Sequence, residues 1–264
     1  MASRRWATIG AAALMMLAAP AHADFASGVA AYERGDFAAA FQAWKPLIDS
    51  GDARAAYNMG LLYDQGKGVD RDPAMAVVLW REAAEKGYAP AQHNLAQSLI
   101  GGDGVTGRYE EAVSWLKKAA DQGLARSRYT LGKMYADGLG VKKDLSESAR
   151  WIAAAAEAGL DRAQYNLGKM YRDGMGVAKN LADAVKWFRA AAEQGYAPAE
   201  AALGARYAAG QGVVKDNVEA LAWTLAAETQ GLPRASAQAH TIAAKMSPDE
   251  IARARDLAAQ RARR

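Results

Sequence analysis

The chain has no cysteine. No disulfide can staple it, no cysteine–histidine set can hold zinc, and no cysteine follows its N-terminal apolar stretch to carry a lipid. Histidine is nearly as scarce. His22, His93 and His240 are the only three, and none pairs with another at the His-x-x-x-His spacing of a zinc helix. There is no G-x-S-x-G nucleophile elbow, and no Ser-x-x-Lys stands in a site context. A strong charge of one sign is missing too. The formal net charge is +4; without Arg4 and Arg5 the excess falls to +2. Residues 251–264 hold five arginines against one aspartate, so the remaining body is slightly acidic. A body of that kind lacks the basic stripe that nucleic acid requires. No catalytic residue, cofactor or metal is therefore expected.

What the chain has instead is repetition. Gly51, Gly87, Gly123, Gly159, Gly195 and Gly231 stand 36 residues apart. Gly66, Gly102, Gly138, Gly174 and Gly210 keep the same step, as do Gly68, Gly104, Gly140, Gly176 and Gly212, each followed by valine. Trp115, Trp151, Trp187 and Trp223 share it, while the first copy carries Leu79-Trp80 there. Self-similarity at this period marks a solenoid, in which each unit buries its apolar face against its neighbours.

Each copy reads as two helices and a fixed loop. In the fourth, Ala163, Leu167, Met170 and Tyr171 form one helical packing stripe. Gly174 stops that helix, and Gly176-Val177 carries the chain across. Asn180 is an N-cap with Asp183 at N3, and the second helix is expected to bury Ala184, Trp187, Phe188 and Ala191. Asp144 with Glu147 and Asp216 with Glu219 read as capping boxes, and Asp72-Pro73 as a cap with proline at N1. The second copy has Arg108 at the cap position, which predicts a less crisp start. Gly60, Gly132, Gly168 and Gly204 fall inside helices at a cost of about 0.5–1 kcal/mol each relative to alanine. A cost repeated four times implies a packing reason, and the expected one is a tryptophan ring seated on each glycine.

The pattern A-x-x-x-L-G-x-x-Y-x-x-G-x-G-V, then A-x-x-W and A-A-x-x-G, is similar to the Sel1-like repeat, a relative of the tetratricopeptide repeat. Here it is carried by Ala163, Leu167, Gly168, Tyr171, Gly174, Gly176, Val177, Ala184, Trp187, Ala191, Ala192 and Gly195. Five copies cover residues 51–230. The resemblance implies an all-α fold, a right-handed α/α superhelical solenoid of helix-pair repeats used as a scaffold for protein–protein contacts. Some cysteine-rich relatives have been labelled β-lactamases, but this chain lacks their cysteines and offers no nucleophile with a base, which places an enzyme last among the readings.

The flanks read as caps. Residues 24–50 resemble a tetratricopeptide helix pair around Tyr32, Gly35, Asp36, Phe37 and Ala40. Trp44 precedes Trp80 by 36. Residues 231–264 form C-terminal capping helices: one from Pro233 to Lys245, then a last one from Ser247-Pro248-Asp249-Glu250 to about Gln260, ending in a basic tail. That tail is expected to be a solvated helix end, with contact to anionic lipid or a partner as the alternative. Arg4-Arg5, the apolar stretch 6–19 and Ala21-His22-Ala23 read as a signal peptide cleaved after Ala23. The stretch falls short of the roughly 20 residues a membrane span needs, and no second span follows. Export to a bacterial periplasm is the expectation.

The packing stripe of each first helix fixes the opposite face, at positions 54, 58, 61 and 65 and their equivalents. This face, expected to be concave, presents Arg54 and Asn58, then Asn94, then Arg126 and Lys133, then Arg162, Asn166 and Lys169, and finally Ala202, Ala205 and Ala209. In tetratricopeptide relatives, asparagines on this face hold a peptide backbone, which the resemblance implies for Asn58, Asn94 and Asn166; an exposed helix face also simply tolerates asparagine. The basic centre is expected to favour a carboxylate-bearing protein or peptide segment, although Asp137 and Asp173 stand four residues from Lys133 and Lys169, where they can pair with them. The expected function is an exported adaptor that binds a protein or extended peptide. A periplasmic regulator restraining an envelope sensor or complex is the alternative, and a cell-wall or β-lactam hydrolase comes after it.

Overall fold

The computed structural model describes residues 24–101 and 108–262. The expected signal peptide, the loop glycines Gly102 and Gly104, and Arg263-Arg264 of the basic tail lie outside the described residues. Among those described there are fourteen helices and no strand. An opening pair, α1 (Phe25–Glu33) and α2 (Phe37–Asp49), leads into α3 (Ala53–Gln65) and α4 (Pro73–Glu85), then α5 (Ala89–Gly101) and α6 (Tyr109–Asp121). The series continues through α7 (Ala125–Asp137), α8 (Leu145–Glu157), α9 (Asp161–Asp173), α10 (Leu181–Glu193), α11 (Ala197–Ala209) and α12 (Asn217–Thr229). Each helix from α1 to α12 packs on the next in sequence. The chain closes with α13 (Ala235–Ala243) and α14 (Pro248–Arg261), and α14 turns back onto α12.

The loop within a pair follows from two glycines. In the fourth copy Gly174 ends α9 at φ 72° and Gly176 follows at φ 71°, a left-handed region that costs other residues energy. Gly176 has a second constraint, because a Cβ there would collide with the Leu145 carbonyl at the start of α8. The loop is thus one of the contacts between successive repeats. A backbone hydrogen bond closes it: Asn180 N–H donates to the Tyr171 carbonyl at 2.8 Å, as Asp72 N–H does to Tyr63 and Asp144 N–H to Tyr135, each at 2.9 Å.

That bond corrects one expectation. Asp144 and Asp216 cap α8 and α12 as expected, but their own N–H groups are committed to the tyrosine carbonyls of α7 and α11. Glu147 and Glu219 therefore do not close capping boxes and instead pair with Arg150 and Arg261, each at 2.7 Å. The full capping box occurs at Ser247 and Glu250. Arg108 makes no side-chain cap, as expected.

The mid-helix glycines are seats for a large side chain, with a correction to which one. Trp44 sits on Gly28 and Trp80 on Gly60, but Ile152 sits on Gly132, Phe188 on Gly168 and Thr224 on Gly204. A Cβ at Gly168 would lie 2.7 Å from the Phe188 ring. Phe188 is fully enclosed, while Trp187 and Trp151, expected to be buried, are only partly so. The Trp115 column falls one residue before the seated one, about 100° around the helix.

Candidate interaction surface

The first helix of each repeat buries one stripe and exposes the other. In α7, Ser127, Leu131, Gly132 and Met134 are buried, while Arg126, Lys133 and Asp137 are exposed. In α9 the buried set is Ala163, Gln164, Leu167, Gly168 and Met170, leaving Arg162 exposed and Asn166 and Lys169 half-buried. A groove of about 460 Å³ runs across α5, α7 and the start of α9 and gathers Arg126, Lys133 and Arg162. Its remaining wall includes Gln97, Tyr129 and Thr130 with the apolar Ile100, Leu139 and Leu160. Asp137 and Asp161 also border it. Leu139 stays exposed at the rim.

The expected pairing of Lys133 with Asp137 does not form, nor does that of Lys169 with Asp173. Arg172 takes Asp173 through two contacts of 2.7 and 2.6 Å, holding that carboxyl below its ordinary range. The Lys169 ammonium lies 5.7 Å from the Tyr165 ring centre. Arg126, Lys133 and Arg162 form no ion pair among the described residues. Among the described residues all three cations of the groove are therefore available.

Two of the other site residues are already occupied. Arg54 is held by Asp52 at 3.1 and 2.6 Å and lies 4.4 Å over the Phe25 ring. Its side-chain hydrogen bond is the main reason the Asp52 carboxyl is lowered. Asn166 donates to the Tyr129 hydroxyl at 2.9 Å and to the Arg162 carbonyl at 2.8 Å. Its two N–H donors are spent within the protein, so only its carbonyl can meet a ligand. Asn58 and Asn94 are half-buried and make no side-chain hydrogen bond among the described residues. Arg54, Asn58, Asn94, Asn166 and Lys169 do not line the groove; Arg126, Lys133 and Arg162 do.

His93 is a lining residue that the sequence did not single out. It is buried, and its Nδ1 lies 2.9 Å from the Ser127 hydroxyl. Burial, and then the nearby charge of Arg126, push its pKa down to about 4. It is neutral at pH 7 and adds no charge to the groove. Its chemistry is that of a packed polar link between α5 and α7. Among the described residues no group of three or more His, Cys, Asp or Glu could hold a metal, and no helix is long and apolar enough to cross a membrane.

A second column of residues, also unread in the sequence, knits neighbouring repeats together. Gln92 and Gln164 each donate to a carbonyl eight residues earlier, Ala84 at 3.1 Å and Ala156 at 3.2 Å. Each also accepts from a glutamine thirty residues later, Gln122 at 2.9 Å and Gln194 at 2.7 Å. Arg128 fills the donor role in the third copy, reaching Ala120 at 3.0 Å. The fifth copy has Glu200, which accepts from Gln230 at 2.9 Å. Glu200 is 4% exposed, and burial pushes its pKa from 4.5 up to about 7 against the smaller opposing effects of Gln230 and Arg261.

Comparison with known proteins agrees with this architecture. The family model described as Sel1 repeat matches residues 53–88, 89–124, 125–160, 161–196 and 197–232. Among solved structures, c5321, a protective antigen of uropathogenic Escherichia coli strains with an SLR fold, is 30% identical with a TM-score of 0.81. The match covers 89% of this chain but 51% of the antigen, so the chain spans about half of that protein's length. A Sel1 repeat protein from Oxalobacter formigenes is 29% identical with a TM-score of 0.76, over 88% of this chain and 95% of the other. The curated proteins contain no match. Sel1 repeat proteins are generally non-catalytic scaffolds for protein interaction. With five matched repeats following one another without a gap from residue 53 to residue 232, the chain belongs to the Sel1 repeat family.

Proposed function

We propose that this protein is an exported scaffold that holds an acidic segment of another protein across α7 and α9, on the concave side of the array. One observation carries the reading: Arg126, Lys133 and Arg162 come from two successive first helices into one groove, and none is neutralised by an ion pair among the described residues. Arginine can grip a carboxylate through two hydrogen bonds, while Leu139 and Leu160 offer apolar contact beside it. Export rests on Arg4-Arg5, the apolar stretch after them and Ala21-His22-Ala23. N-terminal sequencing of the cell-derived protein is expected to begin at Asp24.

The groove is tested with a pair of peptides that differ only in aspartate against asparagine. The wild type should prefer the acidic one, and Arg126→Ala with Arg162→Ala should weaken its binding roughly five- to tenfold at low salt, where exposed charge contacts are strongest. Helical content and melting temperature should stay unchanged. Equal affinity for both peptides, or an unaffected double mutant, would remove this groove from the account.

A further inference from the structure

Trp115, Trp151, Trp187 and Trp223 form a column in which every ring carries a cation. Lys118 lies 3.9 Å from the centre of Trp115, Arg150 4.5 Å from Trp151, and Lys186 5.4 Å from Trp187. Each tryptophan also has an acid four residues before it: Glu111, Asp183 and Glu219 share that position with Glu147. In α6, α8 and α10 the cation comes from the same helix, one residue before the ring or three after it. In α12 those two places are Ala222 and Ala226. This last aromatic–acid corner therefore has no cation of its own.

The chain fills the corner from a distance. Arg261, near the end of α14, lies 3.8 Å over Trp223 and pairs with Glu219 at 2.7 Å. Trp115 Nε1 donates to Glu111 at 3.4 Å, whereas Nε1 of Trp223, 5% exposed, has no partner among the described residues, as is also true of Trp151, whose acid Glu147 pairs with Arg150. Beside this corner lies a recess of about 900 Å³ bordered by α10, α11, α12 and the end of α14, with Glu193 and Glu200 in its wall. Arg189, the other cation there, donates to the Tyr207 hydroxyl at 2.6 Å. With Arg261 withdrawn, three carboxyl groups would face one guanidinium among the described residues of the recess.

We propose that Trp223, Glu219 and the adjoining recess form a binding site for an arginine or lysine side chain of a partner polypeptide, and that Arg261 is its intramolecular occupant. The Trp223 face supplies a cation–π contact, and Glu219 supplies a charge-assisted hydrogen bond. Glu193 adds negative potential, and the recess gives the incoming stem room. A partner's basic side chain displaces Arg261 and takes the same two contacts, so the end of α14 sets the threshold for binding. This site lies on different helices from the Arg126–Arg162 groove and favours the opposite charge. The two proposals stand or fall separately.

The test uses the full mature chain with its tryptophan indole N–H groups followed by NMR, and N-acetyl-arginine amide as the probe. The uncharged N-acetyl-citrulline amide is the control. The arginine probe should move the Trp223 resonance and leave Trp115 in place, while the citrulline probe moves neither. Arg261→Ala and Arg261→Gln should each lower the half-saturating concentration roughly five- to thirtyfold, because the intramolecular competitor is gone. Glu219→Gln should abolish the response. Should Arg261→Ala loosen α14, the comparison of wild type with Glu219→Gln still decides the matter. A Trp223 response unchanged by Glu219→Gln, a citrulline response equal to that of arginine, or no response in any variant would overturn the proposal.

Discussion

Glu200→Gln is a one-atom change with a definite sign. At the equivalent positions Gln92 and Gln164 each use both ends of the amide, accepting from a glutamine and donating to a helix-end carbonyl. Glu200 keeps the first bond, and by register its other oxygen faces the end of α10 around Ala192, which borders the same recess. A carboxylate cannot donate there, but a carboxylic acid can. Arg189, Glu193, Glu219 and Arg261 are the charged groups that share its recess among the described residues. Its folded pKa of about 7 lies above the ordinary 4.5, so the folded state holds the proton more tightly. The resulting stability is complete below pH 4.5 and is lost as pH rises through 7. One proton is worth at most about 1.4 kcal/mol per pH unit across that window. Allowing for the glutamine's restored bond, Glu200→Gln should be more stable than wild type by about 1–3 kcal/mol at pH 8 and by much less at pH 5. Urea unfolding at the two pH values measures the difference, and hydrogen exchange locates it. Protection should change in α10 to α12 and leave α3 and α4 alone, since array stability sums over nearest neighbours. If wild type and variant have parallel pH profiles, the protonated joint is wrong.

Further outcomes follow from the packing. Phe188→Ala, which empties the seat over Gly168, should cost about 3–5 kcal/mol, with exchange protection lost first in α9 and α10. Trp187→Ala, at the half-exposed neighbouring position, should cost clearly less, and equal losses would contradict the seat assignment. Gly176→Ala combines a left-handed φ with a backbone collision and should lower the melting temperature more than Gly159→Ala, whose φ is also positive but whose surroundings are open. Asn166→Ala should leave acidic-peptide binding within about twofold, since the donors it removes are internal; a larger loss would restore Asn166 to the ligand face.

The repeat length, the helix pairs, the glycine stops and most of the caps were legible because they recur in one register, and local turn chemistry suffices for them. Recurrence did not tell which of two adjacent columns is enclosed. Trp44 and Trp80 carried the signal: adding 36 to 80 gives Leu116, not Trp115, so the chain has two tryptophan columns and only one sits on the glycines. The face bearing Arg126, Lys133 and Arg162 was legible from helix geometry alone. Its pairing was not. Asp173 chose the adjacent Arg172 over Lys169, a choice between side-chain conformers that spacing cannot rank. The docking of Arg261 on α12 corrects the expectation of a wholly solvated tail end. It depends on a fold-back of α14 outside the period, although Ala222 and Ala226 marked the gap it fills.

The central claim is that a cationic groove on the first helices carries the protein's interaction, and site-specific photo-crosslinking in intact cells tests it most directly. A crosslinking residue at Thr130, inside the groove, should capture a defined protein through an acidic segment identified by mass spectrometry. Arg126→Ala with Arg162→Ala should remove that product. The same group at Val78, exposed on a second helix, should capture little. Equal capture from both positions, or a Thr130 product that survives the double mutant, would contradict the account.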